Sequence, residues 1–433
     1  MRIAIIGSGI AGHGAAYRLT RQFGARAVTL FEKSARPGGH AATVDIAYDG
    51  ARMTVDTGFI VYNRLNYPLL DALFTELGVP TQPSEMSFSL SLDGGAFEWS
   101  GQDRNRLRSL FAQPENLVSP RFWRMLGDIL RFNRAARKAL DTGRIGTETL
   151  AGFLARERLG ADFRDNYILP MGAAIWSMPA RDVLDFPAER FLRFFDNHRL
   201  LHASRPAWRT VTGGSRAYVD RLQAASGHEL RCNTAIVAVR RRPEGVELAT
   251  EHGERTLFDA VLLATHADQA LALLDAPRPE ERAVLGAIRH AANDVYLHRD
   301  VRLMPRRRAA WAAWNVLRGP GSDARPVAIT YWMNRLQGLD PARPVFVSLN
   351  PPEPPAAECV FGRYSYAHPQ FDAAAIAAQA ALPRLQGNGG VYFAGAWAGY
   401  GFHEDGLRSG YAAAERLIAD HVPATARMPA AAE

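Results

Sequence analysis

The stretch that most constrains this chain is "RIAIIGSGIAGHGAAYRL", residues 2–19. Its apolar run predicts a buried strand from Arg2 to Ile6, its glycines a tight turn, and its alanine-rich continuation a helix beginning near Ile10. The next segment, "AVTLFEK", predicts a second strand ending at Glu32, twenty residues past Gly12. Each part has a physical use in a βαβ unit that binds a dinucleotide. Gly7 permits the turn, Gly9 lets backbone amides approach a pyrophosphate, and Gly12 lets helix and strand pack closely. The helix start offers partial positive charge to the phosphates, and Glu32 can accept from ribose hydroxyls. An α/β fold around a parallel sheet follows.

Six residues after Glu32 come Gly38, Gly39 and His40, preceded by Arg36, with Lys33 beside the acid. A second glycine pair lets another backbone segment pass close to the same phosphates. This arrangement resembles the flavin-containing amine oxidase superfamily, which includes carotenoid desaturases, protoporphyrinogen oxidases and fatty-acid isomerases. The resemblance implies a Rossmann-like FAD-binding domain of the GR2 or amine oxidase type, interrupted by an α+β substrate domain. "WRTVTGGSRAYVDRL" (208–222) looks like the re-entry into the FAD domain, "TAIVAVRRRPEGVEL" (234–248) like the strands whose backbone near Val237 meets the adenine, and "DAVLLATHADQAL" (259–271) like the strand and turn that follow. The implied FAD-binding parts are 1–60, 208–275 and 371–422. The substrate domain takes 61–207, mainly helical, and 276–370, mainly sheet, and the Ala/Pro tail 423–433 is expected to be disordered. Within "VDTGFIVYN" (55–63) the resemblance makes Asp56, Gly58, Tyr62 and Asn63 neighbours of the cofactor, Tyr62 on the substrate side.

Late in the chain, "VYFAGAWAGYGFHEDGLRSGYAAAERL" (391–417) combines a strand end, aromatics, glycines and an amphipathic helix. By the same resemblance, Tyr392 to Gly395 end a strand against the ribityl chain. A helix beginning at Gly406 and Leu407 then aims its amides at the pyrimidine end of the flavin, where negative charge develops on reduction. Trp397, Tyr400 and Phe402 would lie near the ring or line the substrate pocket; the plainer alternative is an aromatic core turn with Asp405 as helix cap. The sequence departs from the family in three respects. Ala396 stands where an acidic residue often binds a ribityl hydroxyl. Lys33 and Lys138 are the only lysines, so the lysine that amine oxidases place beside the flavin has no counterpart in the central region. No cysteine stands in the late motif, which implies non-covalent FAD.

A narrower resemblance is to bacterial NAD/FAD-binding flavoproteins that share "VDTGFIVYN", "MSFSLSL", "GAAIWSMP" and "AGYGFHEDGL" and whose genes commonly sit beside cyclopropane fatty-acyl synthases. It points to modified or unsaturated fatty-acyl substrates. Met171, Trp176, Met178, Phe186, Phe191, Phe194, Phe195 and Trp208 are candidates for an apolar tunnel, with core packing as the plainer reading of each. His403 is the candidate proton acceptor, followed by Glu404 and Tyr400; a capping or orienting role is the alternative for the His-Glu-Asp run. Three functions compete: an FAD-dependent desaturase or oxidase of lipid-like chains, a redox-neutral fatty-acid isomerase, and a non-catalytic FAD-binding partner of a lipid-modifying enzyme.

Composition bounds the partners. The net charge of +7 is carried by arginine, clustered in "RFWRMLGDILRFNRAARKAL" (121–140) and "RLMPRRRAAW" (302–311). A solvated helix face explains the first cluster, and Thr147 is expected to cap the helix that follows; contact with the anionic inner face of a membrane is the alternative. No nucleic-acid motif accompanies the charge. Cys232 and Cys359 are the only cysteines and have no metal-ligand spacing, so free thiols in a cytoplasmic protein and no bound metal are expected.

Overall fold

The computed structural model of the protein describes residues 1–101, 106–319 and 327–428. Strand Ile3–Ile6 lies at the centre of a five-stranded parallel sheet, between Val28–Phe31 and Ala260–Leu263, with Glu229–Arg231 and Val391–Phe393 at the edges. Ile3, Ala4 and Ile5 have no exposed surface, as expected of a strand covered on both faces. On one face Ile3, Ile5, Leu30 and Leu262 meet helix Ile10–Phe23 and the C-terminal helix His403–His421. On the other, Ala4, Ile6, Val261 and Phe393 pack against Trp397 and against Ala270, Leu285 and Ala378 from three further helices.

The first and last helices cross unusually closely, and small residues make the crossing possible. A Cβ at Gly410 would collide with the carbonyl of Ala11, one at Gly406 would lie 2.8 Å from Ile10 Cγ2, and one at Gly14 would lie 2.6 Å from Leu407 Cδ1. A fold built from opposite ends of the chain is thus joined at glycine.

The second unit is built on a seven-stranded sheet, in the order Val360–Pro369, His290–His298, Phe346–Leu349, Ala328–Trp332, Trp314–Arg318, Phe88–Leu92, Phe97–Gly101. All neighbours are antiparallel except Trp314–Arg318 with Phe88–Leu92. Two of its strands therefore come from the segment expected to be mainly helical. Helix Pro279–Ala287 stays with the dinucleotide sheet through Val284 and Leu285, so the chain crosses to the larger sheet at His290.

Helix Pro120–Thr142 is capped by Ser119, whose Oγ accepts from the Phe122 amide, and ends at Gly143 with φ 65°. The following helix, Leu150–Arg156, is capped by Thr149 and not by Thr147, because only Thr149 places its hydroxyl 3.3 Å from the Gly152 amide. The start of the tail is held in place. Gln22 holds it from both sides, donating to the Ala426 carbonyl and accepting from the Met428 amide; residues 429–433 lie outside the described residues. No helix among the described residues is long and apolar enough to cross a membrane.

Candidate functional site

The glycine loop at the end of the first strand is shaped for an anion. Gly7 has φ 101°, and a Cβ on Gly12 would run into the Gly7 carbonyl. Helix Ile10–Phe23 starts at Gly9 with no side chain capping its amides and no acid in its first turn, and a Cβ at Gly9 would meet nothing within 4 Å. Uncapped amides facing open space are what a pyrophosphate requires. Gly38 (φ 107°) and Gly39 (φ 57°) close over this loop: the Gly38 amide donates to the Ser8 carbonyl at 3.0 Å, and a Cβ on Gly39 would lie 3.1 Å from Gly9 Cα. Arg36 pins the second loop to itself through the carbonyls of Ala41 (2.7 Å) and Gly39 (3.0 Å). Lys33 is exposed.

Glu32 ends the second strand and accepts from the Ser8 amide (3.1 Å), the Ser8 hydroxyl (2.5 Å) and the Ser34 amide (2.9 Å). Its carboxylate both anchors the glycine turn and presents oxygen at the position expected for a ribose. The Thr234 amide donates to the Glu32 carbonyl at 2.9 Å, which brings the strand Ile236–Arg242 and the exposed Val237 to the same edge. His40 follows the second glycine pair, with Nε2 buried and lacking a hydrogen-bond partner. A Cβ on Gly58 would collide with the His40 carbonyl, so these two backbones are in contact.

Asp56 is buried among donors: Thr43 Oγ1 at 2.6 Å, Ser215 N at 2.9 Å, Ser215 Oγ at 2.7 Å and Gln337 Nε2 at 3.0 Å. It ties the start of the re-entry segment to the sheet unit. Asn63, also buried, ends the same stretch and accepts from the Asn66 amide.

The late motif is arranged differently from expectation in several places. Its helix begins at His403, not Gly406, because Asp405 Oδ2 accepts from the Phe402 amide at 3.0 Å and starts the helix one turn earlier. The amides of His403, Glu404 and Asp405 are then the free first-turn donors, and Gly406 with Leu407 belongs to the helix crossing. Glu404 holds backbone from another segment. Its two oxygens accept from the Leu69 and Leu70 amides at 3.1 and 3.0 Å, capping helix Pro68–Glu76, while Arg408 donates to it at 3.1 Å. Burial still pushes its carboxyl upward.

His403 lies flat against Phe59, and its Nε2 is 3.0 Å from the Tyr218 hydroxyl. Burial holds its pKa down at about 3, so the ring is neutral at physiological pH. Gly395 N lies 3.1 Å from Ser409 Oγ, a hydroxyl near the strand end where Ala396 offers none. Trp397 turns away from the site: its indole donates to the Thr265 carbonyl at 2.9 Å, folded into the core of the dinucleotide unit. Tyr62 is also core, 1% exposed against Tyr67 and Phe74. Trp176 sits among Phe186, Phe191 and Phe194, with Phe195 behind them, so these rings, with Met171 and Met178, fill the core of the helical part instead of enclosing a tunnel. Trp208 is half-buried on strand Trp208–Val211.

A cavity of about 420 Å³ opens beside the helix start. Tyr400, Phe402 and Glu404 line it together with Phe194, Asp196 and Arg408. Arg190, which the sequence did not single out, stands 4.6 Å over the Tyr400 ring and donates to the Gly399 carbonyl at 3.0 Å. Gln379 donates to the same carbonyl and to that of Trp397, so two distant side chains fix the turn between strand and helix.

Residues 10–336 match the family model described as flavin containing amine oxidoreductase. The chain belongs to that family. A protein of Mycobacterium tuberculosis H37Rv that bears the name of a flavin-containing monoamine oxidase, AofH, is 26% identical over 294 residues, covering 64% of this chain and 60% of the relative's length. Among solved structures, the fatty acid isomerase of P. acnes that produces CLA superposes with a TM-score of 0.66 at 16% identity, over 98% of this chain and 99% of the other. A putrescine oxidase gives 0.66 at 16% over 96% and 99%, and the cyclohexylamine oxidase of Brevibacterium oxydans gives 0.63 at 16% over 97% and 99%. These three share the fold. FAD is the cofactor of this flavoenzyme family, and the uncapped helix start, the paired glycine loops, the Glu32 carboxylate and the orphaned His40 Nε2 fit it.

Proposed function

We propose that the protein is an FAD-dependent oxidoreductase that takes a hydride from an activated C–H bond of an apolar, fatty-acyl or lipid-like substrate. The observation that carries this reading is the aromatic wall beside the helix start. Phe402 stacks on Phe194 at 5.4 Å and 22°, and Tyr400 stands 5.7 Å from the same Phe194 ring. FAD, held non-covalently, supplies the hydride acceptor when bound. The chain's own part is to place and protect. The first-turn amides of His403 to Asp405 offer positive potential to an electron-rich ring edge. Phe194, Tyr400 and Phe402 cover hydrocarbon and exclude water. Lys33 and Lys138 are both exposed, so neither stands in the interior beside a bound substrate.

A second reading, amine oxidation, is favoured by the relative's name and by Asp196, Glu404 and Asp405 at the cavity, which could attract a cation. Anaerobic mixing of the FAD-loaded protein with fatty acids or extracted lipids, and separately with monoamines, decides between them. Bleaching of the yellow colour by lipids alone is expected. Bleaching by amines alone overturns the lipid reading; lipid isomers formed without an electron acceptor reassign the chemistry as isomerisation, and a protein inert to both classes is a binding partner.

A further inference from the structure

We propose that His266, Asp268 and His290 form a binding site for one divalent transition-metal ion of the zinc class. His266 stands at the cap of helix Ala267–Leu273, Asp268 in its first turn, and His290 opens the long strand that leads into the larger sheet. One ligand atom from each lies within 4.8 Å of the other two. Around a tetrahedral zinc ion with bonds of about 2.0–2.1 Å, ligand atoms sit roughly 3.3 Å apart. Closing the set therefore brings the ligand atoms at most about 1.5 Å nearer to one another.

A second observation points to a ligand. The His290 side chain is 2% exposed, and its Nδ1 is buried without a hydrogen-bond partner, 3.4 Å from Asp268 Oδ1. That separation is close to the spacing of two neighbouring ligands around a tetrahedral zinc ion. The His266 and His290 rings stack at 4.4 Å and 9°, which holds the two imidazoles side by side. Asp268 is held by the Gln269 amide at 2.9 Å and is half exposed, so an ion has a route in and a carboxylate to offset its charge. Two imidazoles with one carboxylate favour zinc, cobalt, nickel, copper or iron over calcium and magnesium, which prefer all-oxygen sets. The ion would fasten the end of strand Ala260–Leu263 to the point where the chain crosses between the two units.

The test uses the FAD-loaded protein, stripped with a chelator and titrated with Co²⁺ and then Zn²⁺, alongside Asp268→Asn and His290→Gln. One Co²⁺ per chain should be retained after gel filtration, with visible d–d absorption, and Zn²⁺ should displace it and raise Tm. Because loss of a mere supporting group costs 10–100-fold in metal affinity, loss of a ligand should weaken binding by at least about tenfold in each variant. Asp268→Asn keeps the test decisive if His290→Gln fails to fold, since its side chain is at the surface; its FAD absorption reports that it is intact. Failure of the wild type to retain Co²⁺, or equal retention by the wild type and Asp268→Asn, overturns the proposal.

Discussion

The imidazole of His403 lies on the ring of Phe59, with centroids 3.8 Å apart and planes inclined by 17°. With Tyr218 at its Nε2, the histidine is enclosed on an apolar face and at a polar tip, and joins the late helix to two segments from early and middle parts of the chain. Its neutral state and its enclosure suit a residue that positions the helix start.

The flavin-reduction rate should therefore show no ionisation of His403 between pH 5 and 9, because a group held at about 3 stays neutral throughout. His403→Ala should reduce the rate less than the roughly 10²-fold expected on removing a general base, and should lower Tm. Stopped-flow reduction in wild type and variant measures the first, and a thermal melt the second. A 10²-fold loss at unchanged Tm would restore His403 to the chemistry.

Glu32→Ala should weaken FAD binding by about 1.5–3 kcal/mol, the range for hydrogen bonds to a charged group. It should also loosen the apoprotein, since the same carboxylate holds Ser8 in the glycine turn. Fluorescence titration of the apoprotein with FAD gives the first quantity, and an unchanged dissociation constant would remove Glu32 from the cofactor site.

Two glycine replacements should have opposite signs. Gly410→Ala drives a methyl group into the Ala11 carbonyl and should cost about 1–3 kcal/mol, the usual penalty of overpacking. Gly127→Ala, in the middle of helix Pro120–Thr142 with nothing within 4 Å of the added carbon, should stabilise by about 0.5–1 kcal/mol. Urea unfolding of both variants checks the pair. Equal effects would mean that the helix crossing is not tight.

Stability should fall steeply as the solution is acidified from pH 7 to pH 5. His198, His228, His298 and His368 are held at about 4, chiefly by burial, and His13 and His403 at about 3. Each has a folded pKa below its unfolded value near 6.5, so below pH 6.5 the unfolded chain binds more protons and unfolding is favoured. Every such histidine contributes a slope that grows as pH falls through 6.5 and approaches a limit of about 1.4 kcal/mol per pH unit near pH 5. The slope of unfolding free energy against pH measures their sum, and a flat profile from pH 7 to pH 5 would contradict their burial.

The dinucleotide half was legible because its signals are local. A glycine turn, a strand and an acid at fixed spacing define Gly7, Gly9, Gly12 and Glu32 without knowledge of any distant residue. The late motif was legible in outline only. Whether an aromatic faces a cavity or the core depends on partners far away: Trp397 is claimed by the Thr265 carbonyl and Glu404 by amides at Leu69 and Leu70. Arg190, Gln379 and Ser409 act on that turn from separate segments, and no spacing rule would have gathered them. The helix start moved from Gly406 to His403 for a nearer reason, since Asp405 can cap from inside the first turn as well as from in front of it.

The close crossing of the first and last helices sets an order of events during synthesis. When the ribosome has released the glycine loop and its helix, the surface around Ala11 and Gly14 has no cover until Leu407, Gly410 and their neighbours emerge. The edge strand Val391–Phe393 and its helix must then find a sheet whose centre was made first. Contacts so distant in sequence are slow to form. The larger sheet is itself complete only when Val360–Pro369 has emerged, so both units close late, around the chain's final segments.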